Sequence, residues 1–327
     1  MRTEKAAVTL ACIAVIIGIG STVHPVKDML NQLKPQDGLA VWSTISKEND
    51  ELRALIENKA AKLNAAPVDA NVDRVWKAIP GYNGLEVDVE ASYRNALLKG
   101  PNDSLKLVVR QIQPKVSLND LGAVPIYRGN PAKPMVSLMI NVAWGNQYIK
   151  PMLDILDEEK VKVTFFLDGS WLSKNKELAA EMMKRGHEME NHAYTHPNMS
   201  TLSTARATAE IEKTKSLLKE SLGADNKWFA PPSGDFDQET VNIAASLGLK
   251  TVLWTLDTVD WRNPSPESIV AKISSKSEPG TLILMHPTAS SSQALRGMIK
   301  GIRAKGLQLG TVSQTLSEKR LMASEVE

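Results

Sequence analysis

Residues 191–199 read NHAYTHPNM. His192 and His196 stand four apart in a polar setting, in a chain of 327 residues that has five histidines. On a helical turn, positions i and i+4 share a face, so both imidazoles are expected to reach one cation. The pattern is not that of a zinc protease, because Ala193 stands where its general-base glutamate belongs. A histidine pair at this spacing is as often structural as functional, so the surroundings decide.

Working outward, the chain is regular. Apolar, strand-like runs occupy 135–141, 161–167, 227–230, 249–254 and 281–285, with weaker ones at 187–191 and 307–312. Helical stretches separate them. Several close on a glycine (Gly186, Gly223, Gly248, Gly306), as a left-handed C′ position favours. Strands alternating with helices in this way predict a parallel α/β barrel or sheet. In such folds the chemistry sits at the C-terminal ends of the strands. Four polar clusters fall there: the His192–His196 pair, APPSG at 230–234, DTVDW at 257–261, and His286 after TLILM.

Before residue 134 the character differs. Arg2 and Lys5 precede 18 residues, 6–23, without a charge. That length lies between a secretory apolar region and a short membrane span, and its flanking positives send the rest of the chain outward. A signal peptide or membrane anchor is therefore expected at 1–23, with the remainder extracytoplasmic. Cys12, the single cysteine, lies inside this segment, so any metal beyond it must use His, Asp or Glu. Residues 43–63 have helical apolar spacing and predict an amphipathic helix within a stalk or linker at 24–70. A small α+β module at 71–124 is expected to hold two strands, near 85–89 and 105–109, around a short helix. A linker is expected at 125–133. The formal net charge is +2, and no basic run interleaves with aromatics, which argues against nucleic-acid binding.

The ordered set NHAYTHPNM, FAPPSGDFD, WTLDTVDW and LILMHP, with VTFFLDG between, resembles the polysaccharide deacetylase (NodB homology, carbohydrate esterase family 4-like) family over about 134–319. Across the exported region, including VWKAIPGYNGLEVDVEASY, the chain is similar to the YlxY-type group of that family. The resemblance implies a distorted NodB-type barrel of seven or eight β/α units. It also implies hydrolysis of N-acetyl groups on cell-surface glycan, peptidoglycan above all, by a monomer holding a divalent metal, zinc in the first instance. Carried over, His192 and His196 are metal ligands and His286 is the acid, oriented by Asp260. Trp261 and Leu284 wall the acetyl pocket, with Pro231, Pro232 and Asp257 on the lining of the substrate groove.

The departures concern the first motif. The family reads Thr-Phe-Asp-Asp-Gly there, and this chain reads MINVAWGN. Asn141 stands in the place of the base, Val142 or Ala143 in that of the metal aspartate, and Ala230 in that of the arginine that positions the base. Asp168 or Glu190 is open as a third metal ligand. Asn141 is open as the group that orients a water, and Trp144 as a cap on the pocket or filling for the barrel mouth. The alternative function is a catalytically silent glycan-binding or wall-assembly protein.

Overall fold

The computed structural model describes residues 35–99 and 105–321, with side chains from residue 49. The anchor or signal segment expected at 1–23 lies outside them. Among the described residues no helix is long and apolar enough to cross a membrane. The chain divides into two compact units: 35–64 with 86–99 and 105–110, and 65–85 with 111–321.

In the smaller unit, α1 (Pro35–Leu63) runs longer than the expected 43–63 helix. Later in the chain come β1 (Asn71–Asp73), β2 (Lys77–Ile79), β3 (Gly84–Val87), α2 (Val89–Lys99) and β4 (Val109–Ile112). Within α1, Ile56 and Ala60 are buried. Arg53 makes a two-pronged pair with Glu90 of α2 at 2.6 and 3.1 Å, its guanidinium 5.0 Å from the Tyr93 ring. The module expected at 71–124 is thus divided, and the boundary passes through β3 and β4. The expected strand at 105–109 begins only at Val109, and the antiparallel β1–β2 pair was not foreseen.

The larger unit carries the alternating pattern. Its elements are β5 (Met135–Val142), α3 (Asn146–Glu158), β6 (Thr164–Leu167), α4 (Gly169–Lys174), α5 (Lys176–Lys184), β7 (Glu188–Asn191) and α6 (Thr204–Leu222). There follow β8 (Trp228–Phe229), α7 (Gln238–Ser246), β9 (Lys250–Thr251), β10 (Leu256–Asp257), α8 (Pro266–Lys276), β11 (Leu282–Met285), α9 (Ala289–Ala304), β12 (Gln308–Gly310) and α10 (Val312–Leu316). All seven anticipated strands are present, and β10 is additional. The strands form one parallel sheet in the order β10-β11-β5-β6-β7-β8-β9, with β12 paired to the start of β5. The sheet is curled into a half-barrel. Residues 125–133, expected as a linker, are stitched into it. Ile126 bridges Val252, and Gly129 N donates to the Gly280 carbonyl at 2.7 Å.

β5 is buried at every position, as a parallel strand covered on both faces must be. Val136, Leu138, Ile140 and Val142 meet α3 and α9 through Met152, Leu153, Leu295 and Met298. The opposite face carries Met139 into an inner cluster with Phe166, Ala230, Val252 and Leu282. Each such side chain contributes roughly 1.5–3 kcal/mol by leaving water. The glycines anticipated at helix ends all take positive φ: 83° at Gly186, 67° at Gly223, 76° at Gly248 and 73° at Gly306.

Gly186 delivers His187 into the core beneath β6 and β7. Its Nδ1 accepts from Val163 N at 3.3 Å, its ring stands edge-on to Phe165, and its Nε2 has no partner. Burial pushes its pKa down to about 4. The unfolded value is about 6.5, so folding disfavours the proton. The stability this gives is present above pH 6.5 and lost as the pH falls towards 4. The loss should approach about 3 kcal/mol. His187→Leu is expected to flatten that limb of the Tm-against-pH curve, and an unchanged slope would refute the assignment.

Candidate functional site

The site forms where β5, β6, β7, β8 and β11 end. Beyond β7 the chain does not take the helical turn expected for the histidine pair. Asn191 Oδ1 accepts from Ala193 N at 3.0 Å, and Ala193 (φ 59°) and His196 (φ 56°) are both left-handed. Two groups hold this loop. Glu210 of α6 accepts from Tyr194 N at 2.9 Å and Thr195 N at 2.7 Å. The start of α4 donates Gly169 N and Ser170 N to the carbonyls of Ala193 and Tyr194. The two imidazoles are thereby brought together, with ring centroids 5.1 Å apart and planes at 74°. His192 is buried, with Nδ1 2.7 Å from the Ala230 carbonyl oxygen. Nδ1 therefore carries the proton, and Nε2 presents a lone pair. Burial first, and His196 next, hold the His192 pKa down to about 3, so its imidazole is neutral.

Across the site, Asp260 is fully buried beneath His286. Its Oδ1 takes the His286 Nδ1–H at 2.9 Å, and its Oδ2 accepts from His286 N at 2.6 Å and from the Ser291 hydroxyl. Burial alone would raise the Asp260 pKa. The His286 side-chain hydrogen bond and charge, then Ser291, outweigh it, and the net shift is downward. Trp144 lies flat over His286, with ring centroids 5.2 Å apart and planes at 17°. It is 46% exposed, so it caps the pocket rather than filling the barrel mouth. Gly145 makes this possible. Its φ is 85°, and a Cβ there would sit 2.1 Å from the Pro287 carbonyl oxygen. Any side chain would push the Trp144 loop away from the His286 loop.

The remaining anticipated residues divide. Asn141 is 97% buried on the inner face of β5, where its Oδ1 has no partner (3% exposed). Asp168 is buried on the neighbouring strand end, and its backbone N donates to the Val142 carbonyl at 3.0 Å. Its Oδ1 caps α4, accepting from Ser170 Oγ at 2.5 Å and Trp171 N at 2.8 Å, while Oδ2 has no partner. Burial raises its pKa, and the nearby His196 offsets part of that rise. Glu190 is turned elsewhere. Its Oε2 accepts from Lys227 N at 2.9 Å, Trp228 N at 2.8 Å and Asn226 Nδ2, at the start of β8.

Val142 packs in the outer apolar layer, and Ala230 lies in the inner one. Leu284 is buried on β11, while Trp261 is 53% exposed under the Arg262 guanidinium. Pro231 and Pro232 lead the turn after β8. Asp257 Oδ1 accepts from Val259 N at 2.7 Å, shaping the loop that carries Asp260. Ala193, His196, Ser233 and Val259, all left-handed and none of them glycine, lie on these strand-end loops. Each costs of order 1–3 kcal/mol, a kind of strain that concentrates at functional sites.

The donor set does not fit a catalytic zinc. Such a metal takes three protein ligands and an open position. Here two imidazoles converge, and among the described residues no group of three His, Cys, Asp or Glu side chains is placed to hold a metal ion. Glu210, Ser291 and Gly145 escaped the sequence reading because each acts through the backbone or a buried neighbour.

The polysaccharide deacetylase family model matches residues 128–252. The uncharacterised protein YlxY of Bacillus subtilis (strain 168) is 44% identical over 279 residues, 85% of this chain and 88% of YlxY. Peptidoglycan-N-acetylglucosamine deacetylase of Bacillus cereus is 30% identical over 182 residues, 53% of this chain and 66% of that protein. Among solved structures, wild-type BA3943 of Bacillus anthracis, a CE4 family pseudoenzyme, superposes with a TM-score of 0.77 at 42% identity, over 82% of this chain and 96% of that one. A BA3943 mutant with restored enzymatic activity matches with a TM-score of 0.77 at 41% identity, over 82% and 99% of the two chains.

Proposed function

Because this chain belongs to the polysaccharide deacetylase family, we propose that it is a cell-surface protein whose groove binds the amino-sugar glycan of peptidoglycan without the ordinary deacetylase chemistry. The observation that carries the reading is Asn141, a buried amide at the position of the base, on a strand whose next residue, Val142, is packed in the apolar layer. An amide takes no proton from water at neutral pH, and Ala230 supplies no cation to steady a carboxylate. What remains suits binding. Trp144 and Trp261 are exposed, Trp144 stacks on His286, and His286 is held in one orientation by Asp260. The similarity to peptidoglycan deacetylases supports the ligand class, and the similarity to a pseudoenzyme supports the loss of chemistry. The charge-free run after Arg2 and Lys5 supports export, with residues 1–23 as tether or signal.

The retained His286–Asp260 pair favours a second reading, residual hydrolysis with Asp168 as a substitute carboxylate. One experiment separates the two. Full-length protein is mixed with purified peptidoglycan, with and without added zinc, and both sedimentation and acetate release are followed. Co-sedimentation without acetate above the protein-free control is expected. Acetate release that His286→Ala abolishes would restore the enzyme reading. Failure to sediment would overturn the glycan groove.

A further inference from the structure

The pocket at the strand ends is a collection of acceptors. Asn141 Oδ1 and Asp168 Oδ2 are both buried and both without a hydrogen-bond partner. They belong to neighbouring strands and face the same side of the sheet. Asn141 is opposite Phe166 in the β5–β6 register, and Asp168 follows Phe166 by two residues. His192 adds a third acceptor, because its Nδ1–H is committed to the Ala230 carbonyl and its Nε2 carries the lone pair. His196 lies 5.1 Å from His192, ring to ring. A buried acceptor left unpaired costs about 1–3 kcal/mol, and more when it belongs to a charged group. Two such atoms on neighbouring strand ends, on one face of the sheet, call for a ligand that brings donors. The set is poor for a divalent metal, which wants charged ligands at fixed geometry. It is well matched to an ammonium group, which has several N–H donors, no acceptor and one positive charge opposite Asp168.

We propose that this pocket binds the protonated amino group of a de-N-acetylated amino sugar, so that the protein recognises glycan from which acetyl groups have already been removed. The inference rests on the glycan-binding reading above and deepens it. The amine sits among Asn141, Asp168 and His192, with Asp168 supplying the charge. The half-exposed indole of Trp144, its inner face against His286, offers its outer face to a pyranose ring. That platform is what favours a sugar amine over the amine of a peptide side chain. An acetylated nitrogen fits poorly, because an amide has a single N–H, no charge, and a carbonyl that would face acceptors.

The test is calorimetric titration of the full-length protein at pH 6 and low salt with three probes. These are a glucosamine tetrasaccharide, its fully N-acetylated counterpart, and a lysine-containing tripeptide. The free-amine sugar is expected to bind at least ~10-fold more tightly than either, as one charge-assisted hydrogen bond allows. Asp168→Asn keeps the cap on α4 through its remaining carbonyl oxygen, and it should erase most of that preference. Asn141→Leu should reduce the preference independently, and Trp144→Ala should weaken both sugars alike. Thermal unfolding of each variant reports on folding. Equal or tighter binding of the acetylated sugar overturns the ammonium site but leaves the glycan groove standing. Equal binding of the tripeptide overturns the assignment to a sugar. If no sugar binds, this inference and the groove fall together.

Discussion

The combined variant Asn141→Asp, Val142→Asp, Ala230→Arg is expected to release acetate from peptidoglycan, in the presence of zinc, ~10²–10⁴-fold faster than the wild type, the usual contribution of a positioned general base. Each change alone should do little. A carboxylate at 141 alone is a base with no arginine to hold it, and His192 and His196 still lack a charged third ligand. A carboxylate at 142 alone enters the apolar layer of Leu138, Ile149 and Met152 with no partner. An arginine at 230 alone enters the inner cluster beside Phe166 and Met139 and finds no anion. Both single changes therefore cost stability, by the general expense of an unpaired buried charge. Together, the arginine at 230 and the carboxylate at 141 lie on the same inner face of the sheet, so the cation steadies the base. Acetate release is the measurement, with circular dichroism and zinc content as controls. If the triple variant is folded and zinc-loaded yet inert, the defect lies elsewhere, with Trp144 over His286 as the next suspect. If the wild type already releases acetate and the triple variant is no better, Asp168 is serving the metal, and Asp168→Ala should then abolish zinc binding.

How much of this was legible in the sequence follows from which forces set each element. The strands at 135–141 and 281–285 are buried on both faces, so their residues are apolar without interruption, and the run identifies them. β10 spans two residues, Leu256–Asp257, and its pairing with β11 depends on neighbours far away in sequence, so no local pattern marks it. The helix at 43–63 was readable from its spacing. Its burial was not, because what covers Ile56 and Ala60 depends on tertiary packing that no local signal encodes. At the site, the identities of His192, His196, Asp260 and His286 were legible as an ordered set. Their arrangement was not. The turn that brings the two imidazoles together depends on left-handed Ala193 and His196, which a helical i, i+4 reading misses. Asp168 and Glu190 looked alike as candidates. Their hydrogen bonds separate them: Asp168 Oδ2 has no partner, whereas the carboxylate of Glu190 is tied to the start of β8.

Asp260→Ala is expected to destabilise the fold by about 3–5 kcal/mol, the range for removing one partner of a buried pair. That corresponds to a fall in Tm of roughly 10 °C for a domain of this size. The wild-type carboxylate is fully buried and satisfies three donors: the His286 ring N–H, the His286 backbone N–H and the Ser291 hydroxyl. Alanine leaves all three without their acceptor. His286→Ala removes one of those donors with its ring and leaves Asp260 the other two, so its cost should be smaller. The double variant should cost less than the sum of the two singles, because the bond they share is counted twice. The pH dependence supplies an independent check. The folded pKa of Asp260 lies below its ordinary value, so its contribution is fully present above about 3.9 and is lost as the pH falls through the folded value. The gap between wild type and Asp260→Ala should therefore be constant from pH 7 to about 5 and narrow only in stronger acid. A gap that closes instead above pH 5 would refute the hydrogen-bonded carboxylate as its source.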